Sequence, residues 1–216
     1  MKHLSLIIFI VFTSIHLYAS FHRIRKLRNI TKPFILLSLM GYYGFGADQV
    51  RPVVLLALLF SWIGDVLLIP EGNKWFTAGG ISFMVSHFFF VLSYLKDVDF
   101  KAISPFIIGA LALFFAVLVN VIFHQLRPYL PKALFYPMYL YLLINGTMNC
   151  FAIFRFLSCP DLAGIITVIG AALFFVSDTS LFFVRFKKNG SLKTHFIVML
   201  TYSIGELLIV LGLMMK

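Results

Sequence analysis

The chain has 216 residues, 61% of them hydrophobic and only 12% charged, with a mean hydropathy of +0.99. Soluble domains are about half apolar and about a quarter charged, so a water-soluble globule is excluded: its core could not hide this much apolar surface, whereas a bilayer can. The net charge of +10 does not point to nucleic acid, because the basic residues fall between apolar runs, where they act as topology signals.

The expectation is an all-α membrane protein, a single integral domain over residues 1–216 with eight transmembrane helices. A spanning helix needs about 20 mainly apolar residues. The first covers Leu4–Phe21. Only Lys2 and His3 precede it, and Leu17-Tyr18-Ala19 breaks the small-x-small cleavage pattern, so it reads as an uncleaved helix rather than a signal peptide. The second, Pro33–Ala47, is short and opens on Thr31-Lys32-Pro33. The third, Pro52–Ile69, carries Ser61 and Asp65, which share a face at i, i+4. The fourth, Ala78–Leu95, carries Ser86 and His87. The fifth, Ile103–Phe123, has Asn120 near its end. In the sixth, Ala133–Phe154, the residues Tyr141, Asn145 and Asn149 form one stripe. The seventh, Leu162–Val184, carries Ser177 and Asp178, and the eighth, His195–Met215, has Tyr202 and Glu206 on one face. Pro33, Pro52 and Pro105 fall at or near helix starts, where a missing N–H costs little. Short connections imply that sequence neighbours pack antiparallel.

The odd-numbered loops hold twelve of the eighteen Lys and Arg residues, with clusters at Arg23, Arg25, Lys26, Arg28 and Lys32 and at Arg185, Lys187, Lys188 and Lys193. The even loops and the termini share Lys2, Arg51, Lys96, Lys101, Arg155 and Lys216. The positive-inside rule therefore puts the odd loops in the cytoplasm and both termini on the outer, periplasmic face of the cell (inner) membrane.

Three of the eight acidic residues, Asp65, Asp178 and Glu206, lie within apolar helices. A central Asp costs at least roughly 2.5–3.5 kcal/mol in a membrane, so such groups face the bundle interior and mark a functional site. The bland alternative is a structural hydrogen bond between helices. Asp65 and Asp178 fall in the cytoplasmic third of helices that run in the same direction, in similar settings: Leu59-Phe60-Ser61-Trp62-Ile63-Gly64-Asp65 and Leu173-Phe174-Phe175-Val176-Ser177-Asp178. His87 is the only histidine deep in an expected span, and Cys150 and Cys159 lack CxxC or Cys/His spacing, so no metal site and no cofactor is expected, and the two thiols are read as separate.

Taken in order, Thr31-Lys32-Pro33, the Leu-Phe-Ser-Trp-Ile-Gly-Asp run ending at Asp65, Ser86-His87, Pro137 with Tyr141, Ser177-Asp178 and Arg185-Phe186 resemble the YhhN family of lysoplasmalogenases from about Lys32 to the last helix. The chain departs from the family's pattern at Glu206, where a neutral polar residue would be expected, so that residue is read from its own chemistry. The resemblance implies hydrolysis of the vinyl ether bond of lysoplasmalogens to a fatty aldehyde and a glycerophospho-ethanolamine or -choline. The partners implied are a lysophospholipid substrate and membrane lipids.

Vinyl ethers hydrolyse through proton transfer to carbon, giving an oxocarbenium ion that water captures. That chemistry needs a proton donor and nearby negative charge, and two close carboxyls that share one proton supply both. Asp65 and Asp178 are thus the expected acid and stabiliser, in either order, with His87 and Tyr141 orienting water or an Asp. Lys32 is expected to hold the lipid phosphate, and Ser61, Asn120, Asn145, Ser177 and Glu206 to contact substrate. Three other classes compete, one of them a non-catalytic lipid-binding or scaffold protein, in which the carboxylates serve stability and no turnover occurs. An intramembrane aspartyl protease would show a GxGD pattern, but Trp62 replaces its first glycine, and the Tyr-Asp and Pro-Ala-Leu partners are missing. A proton-coupled transporter would show an inverted repeat, which this sequence lacks.

Overall fold

The computed structural model describes residues 1–187 and 192–215. Their regular structure consists of α-helices and two short 3-10 turns, with no strand among the described residues. The helices are α1 (Lys2–Phe21), α2 (Arg25–Gly46), α3 (Pro52–Leu67), α4 (Asn73–Leu95), α5 (Pro105–Leu126), α6 (Phe135–Ser158), α7 (Leu162–Phe186) and α8 (Leu192–Met214). All but α2 and α3 are long and apolar enough to cross a membrane, which makes this a multi-pass membrane protein. Lys188 and Lys216, counted among the topology charges, lie outside the described residues, as does the Lys193 side chain.

The start of α2 differs from expectation. The helix begins at Arg25, so Pro33 lies inside it and Arg25, Lys26, Arg28 and Lys32 are helical rather than in a loop. Leu, Arg and Lys are good helix formers, and they carry the helix through the lost hydrogen bond of an internal proline. The turn before it is only residues 22–24, and Arg23 takes a left-handed φ of 60° to close it. The Trp62 indole donates to the Pro33 carbonyl at 2.9 Å and pins α2 to α3.

Neighbours pair as α1 with α2, α3 with α4 and α7 with α8, but on its other side α4 packs against α6 rather than α5, and α5 sits outside α6. The expectation that every sequence neighbour packs side by side therefore fails at α4 and α5: most of α5 is exposed on the outer surface, suited to lipid. The tightest seam is between α7 and α8. A Cβ on Gly170 would lie 2.8 Å from the Gly205 carbonyl oxygen, and one on Gly205 would lie 2.9 Å from the Gly170 carbonyl oxygen. Small residues at such a crossing let two backbones touch in a medium that offers no hydrophobic drive.

At the end of the bundle that carries both termini, Arg155 is buried inside α6 rather than lying in a loop. Its Nε donates to Asp97 Oδ2 (3.1 Å), Nη1 to the Thr167 hydroxyl (2.7 Å) and Nη2 to the Gly212 carbonyl (3.1 Å). Arg51 Nη1 donates to the same Asp97 oxygen at 2.9 Å. This clamp ties the start of α3 and the α4–α5 loop to α6, α7 and α8. Burial alone would raise the Asp97 pKa, but hydrogen bonds and charge from Arg51, then Arg155, outweigh it and hold the carboxyl below its usual range.

Candidate active site

The opposite end contains a cavity of about 420 Å³, walled by residues of α1, α2, α3, α4, α7 and α8 and the α3–α4 loop. Asp65 (2% exposed) and Asp178 (5% exposed) both line it. Lys32, Ser177 and Tyr202 share the wall, with Phe76, Phe83, Val198 and Met199 as apolar surface. Arg25 and Glu71 form an exposed rim, joined by a 2.9 Å ion pair.

The two aspartates are held differently. Both oxygens of Asp65 are engaged: Lys32 Nζ lies 3.2 Å from Oδ1, and the Tyr202 hydroxyl donates to Oδ2 at 2.8 Å. Asp178 is held through one oxygen only. The Tyr141 hydroxyl donates to Oδ2 at 2.6 Å and Asn145 Nδ2 donates to it at 2.8 Å, while Oδ1 accepts no hydrogen bond among the described residues. Short bonds to a carboxylate are the strong, orienting kind. Asn149 Nδ2 donates to the Asn145 backbone carbonyl at 3.0 Å, with Asn145 Oδ1 3.3 Å away, so the expected polar stripe on α6 is a continuous support behind Asp178. His87 Nε2 lies 3.4 Å from Asp178 Oδ2 but off-axis, and neither ring nitrogen has an aligned partner. Its ring stands edge-on to Tyr141 and tilted against Phe174.

Of the expected residues, the cavity wall includes Asp65, Asp178, Lys32 and Ser177. Ser177 donates to the Val198 carbonyl (2.8 Å), which ties α7 to α8 there. Tyr141, Asn145 and His87 lie directly behind Asp178. Several expected substrate contacts need correction. Asn120 is exposed on peripheral α5, where it donates to its own helix at Ala116 and accepts from Tyr139. Depth along the helix matched, but the helix faces outward. Ser61 is fully buried and bonded to Ser86 at 2.7 Å, away from the cavity. Glu206 is enclosed beside Ser61, with neither oxygen in an aligned hydrogen bond, and does not reach the cavity. Asn145 likewise acts through Asp178 rather than on the cavity. Lys32 turns inward to Asp65 and is 15% exposed at its side chain, so it is not a free cation at the interface.

Tyr202 was visible only as a neighbour of Glu206 along α8, and its bond to Asp65 reaches from α8 across to α3, which no local pattern shows. His16 is also buried and lines the cavity, with its Nδ1 2.9 Å from the Thr31 hydroxyl. Arg28 likewise lines the wall.

The model of the YhhN family matches residues 27–213. The chain belongs to the YhhN family. No curated protein matches it, and no solved structure does. The YhhN match takes in every cavity residue from Arg28 to Tyr202 and leaves out α1, and with it His16.

Proposed function

We propose that this YhhN protein is a lysoplasmalogenase-type hydrolase, one integral domain that crosses the cell (inner) membrane eight times with both termini on the outer face. The substrate is a lysoplasmalogen, and the products are a fatty aldehyde and a glycerophospho-ethanolamine or -choline. Family membership supports the reaction class. The observation that carries the reading is that two intramembrane carboxyls open onto one cavity while being held in unequal ways.

That inequality suggests the division of labour. Asp178, anchored by Oδ2 with Oδ1 free, is the proton donor: it delivers a proton to the β-carbon of the vinyl ether. Asp65, paired with Lys32, remains the anion that stabilises the oxocarbenium ion so formed. Water adds to the cationic carbon and loses a proton to Asp178, restoring the acid. The resulting hemiacetal then collapses, breaking the C–O bond to leave the aldehyde and the glycerol hydroxyl. Overall one water is consumed, and no redox partner is needed. Tyr141 and Asn145 position Asp178, and Tyr202 positions Asp65.

The test is to incubate the purified protein with a lysoplasmalogen and, separately, with an ester lysophospholipid of the same headgroup. Free aldehyde from the first and no fatty acid from the second is expected. No aldehyde under any lipid or detergent condition would overturn the assignment.

A further inference from the structure

The cations around the cavity are not equally occupied. Arg25 is paired with Glu71, and Lys32 with Asp65. Arg185, on α7, bonds to the Asn73 side chain at 3.3 Å and lies over the Phe76 ring at 5.3 Å, but meets no carboxylate among the described residues. Arg28 has neither: its Nε is buried without a hydrogen-bond partner, and no ion pair reaches it among the described residues. Burial, and then the like charge of Arg25, pull its pKa down from the usual arginine range. A partly desolvated cation beside another cation is costly, and an anion arriving there would relieve it. Topology alone accounts for exposed basic residues in the loops, but not for a half-buried arginine whose Nε is buried without a partner and which lines the same cavity as Asp65 and Asp178.

We propose that Arg28, with Arg185 from α7, forms a seat for the phosphate of a single-chain glycerophospholipid. The guanidinium fork fits a phosphate's oxygens better than an ammonium does. Arg28 stands four residues before Lys32 on α2, so it lies about 6 Å outward from the Lys32–Asp65 pair along the helix. That is the reach of a glycerol unit. A phosphate on Arg28 therefore brings the sn-1 oxygen of the same lipid to the level of the carboxyls. The seat replaces Lys32, which is already committed, as the headgroup contact. This inference rests on the proposed reading of the cavity as a lysophospholipid site, but its test does not require turnover.

The probe is a 1-O-alkyl lysophosphatidylcholine, whose saturated ether cannot be cleaved by vinyl ether chemistry. Its binding to the full-length protein in nonionic detergent is measured beside that of 1-O-alkylglycerol, which lacks the phosphate, and of inorganic phosphate. Arg28→Gln should weaken binding of the alkyl lysolipid by about tenfold, the scale of one charge-assisted hydrogen bond, and leave alkylglycerol binding unchanged. Arg28→Lys should recover part of the loss, and adding Arg185→Gln to Arg28→Gln should deepen it. Melting curves of each variant show whether it folds. Parental binding of the lysolipid by a folded Arg28→Gln protein would overturn the proposal. Equal loss of both glycerol lipids would make Arg28 structural and overturn it as well. If inorganic phosphate bound as tightly as the lysolipid, the seat would be a free-anion site and the lipid assignment would fall. Loss of lysolipid binding in Arg28→Gln without aldehyde release by the parent would keep the seat and refute the hydrolase reading instead.

Discussion

Replacing Asp178 by Asn is the sharpest perturbation of the cavity. The amide keeps the size of the carboxyl and still offers an oxygen to the Tyr141 hydroxyl and Asn145 Nδ2, now 2.6 and 2.8 Å from Oδ2. What it loses is the second oxygen, the one without a hydrogen bond among the described residues, as a carrier of an acidic proton. General acid catalysis contributes about 10²- to 10⁴-fold, so kcat should fall by that factor, or about 3 to 5 kcal/mol in barrier. KM should change little, since the cations of the cavity mouth are untouched. Aldehyde release, coupled to an aldehyde dehydrogenase and read as NADH, measures the rate, and a melting curve in detergent checks the fold. An Asp178→Asn protein that folds and turns over at the parental rate refutes the reasoning. Loss on Asp65→Asn but not on Asp178→Asn would exchange the two roles.

Other consequences can be tested alongside. Tyr141→Phe removes the shorter of the two bonds to Asp178 while Asn145 remains; kcat should drop about tenfold with KM and the melting temperature in detergent little changed, a split that a purely structural role for the tyrosine would not produce. Arg155→Ala leaves Thr167, the Gly212 carbonyl and half of the Asp97 clamp without a donor; a loss of about 3 kcal/mol or more is expected, seen as a lower melting temperature in detergent. Gly205→Val puts carbon against the Gly170 carbonyl and should cost about 1–3 kcal/mol as α7 and α8 separate, with a lower melting temperature and reduced activity as the readouts. Because the folded pKa of Asp97 is depressed, its contribution to stability is complete at neutral pH and is lost as the pH falls below about 4, through the folded value. Asp97→Asn should flatten that acid dependence of the melting temperature.

Hydropathy alone located the eight α-helices of the described residues, because an apolar run of this length has few alternatives in a membrane. It misjudged α2, since a proline preceded by charged residues looks like a boundary and only the packing of Trp62 against the Pro33 carbonyl reveals an internal one. Depth was legible as well: Asp65 and Asp178 were matched by position along helices running the same way, and both line the same cavity. The direction a helix faces was not legible. Asn120 has a suitable depth, but α5 turns it to the outside, and that depends on α4 packing against α6 instead. Pairings between distant segments were equally hidden. The Tyr202–Asp65 contact joins helices far apart in sequence, the Lys32–Asp65 pair reaches 33 residues across two helices, and Arg155 looked like a loop charge because nothing local shows that its side chain folds inward to Thr167 and Gly212.

The early start of α2 has a consequence for where the proposed reaction would occur. Its first two turns carry Arg25, Lys26, Arg28 and Lys32, and those turns cannot sink into hydrocarbon. They must stand among the polar headgroups of the leaflet, which fixes the vertical position of everything bonded to them, Asp65 included. A lysolipid lying in that leaflet already has its ether linkage near this height. As the substrate of the proposed hydrolase it would glide sideways to the carboxyls without being hauled out into water, and the water-soluble product would leave on the same side while the aldehyde stayed dissolved among the acyl chains.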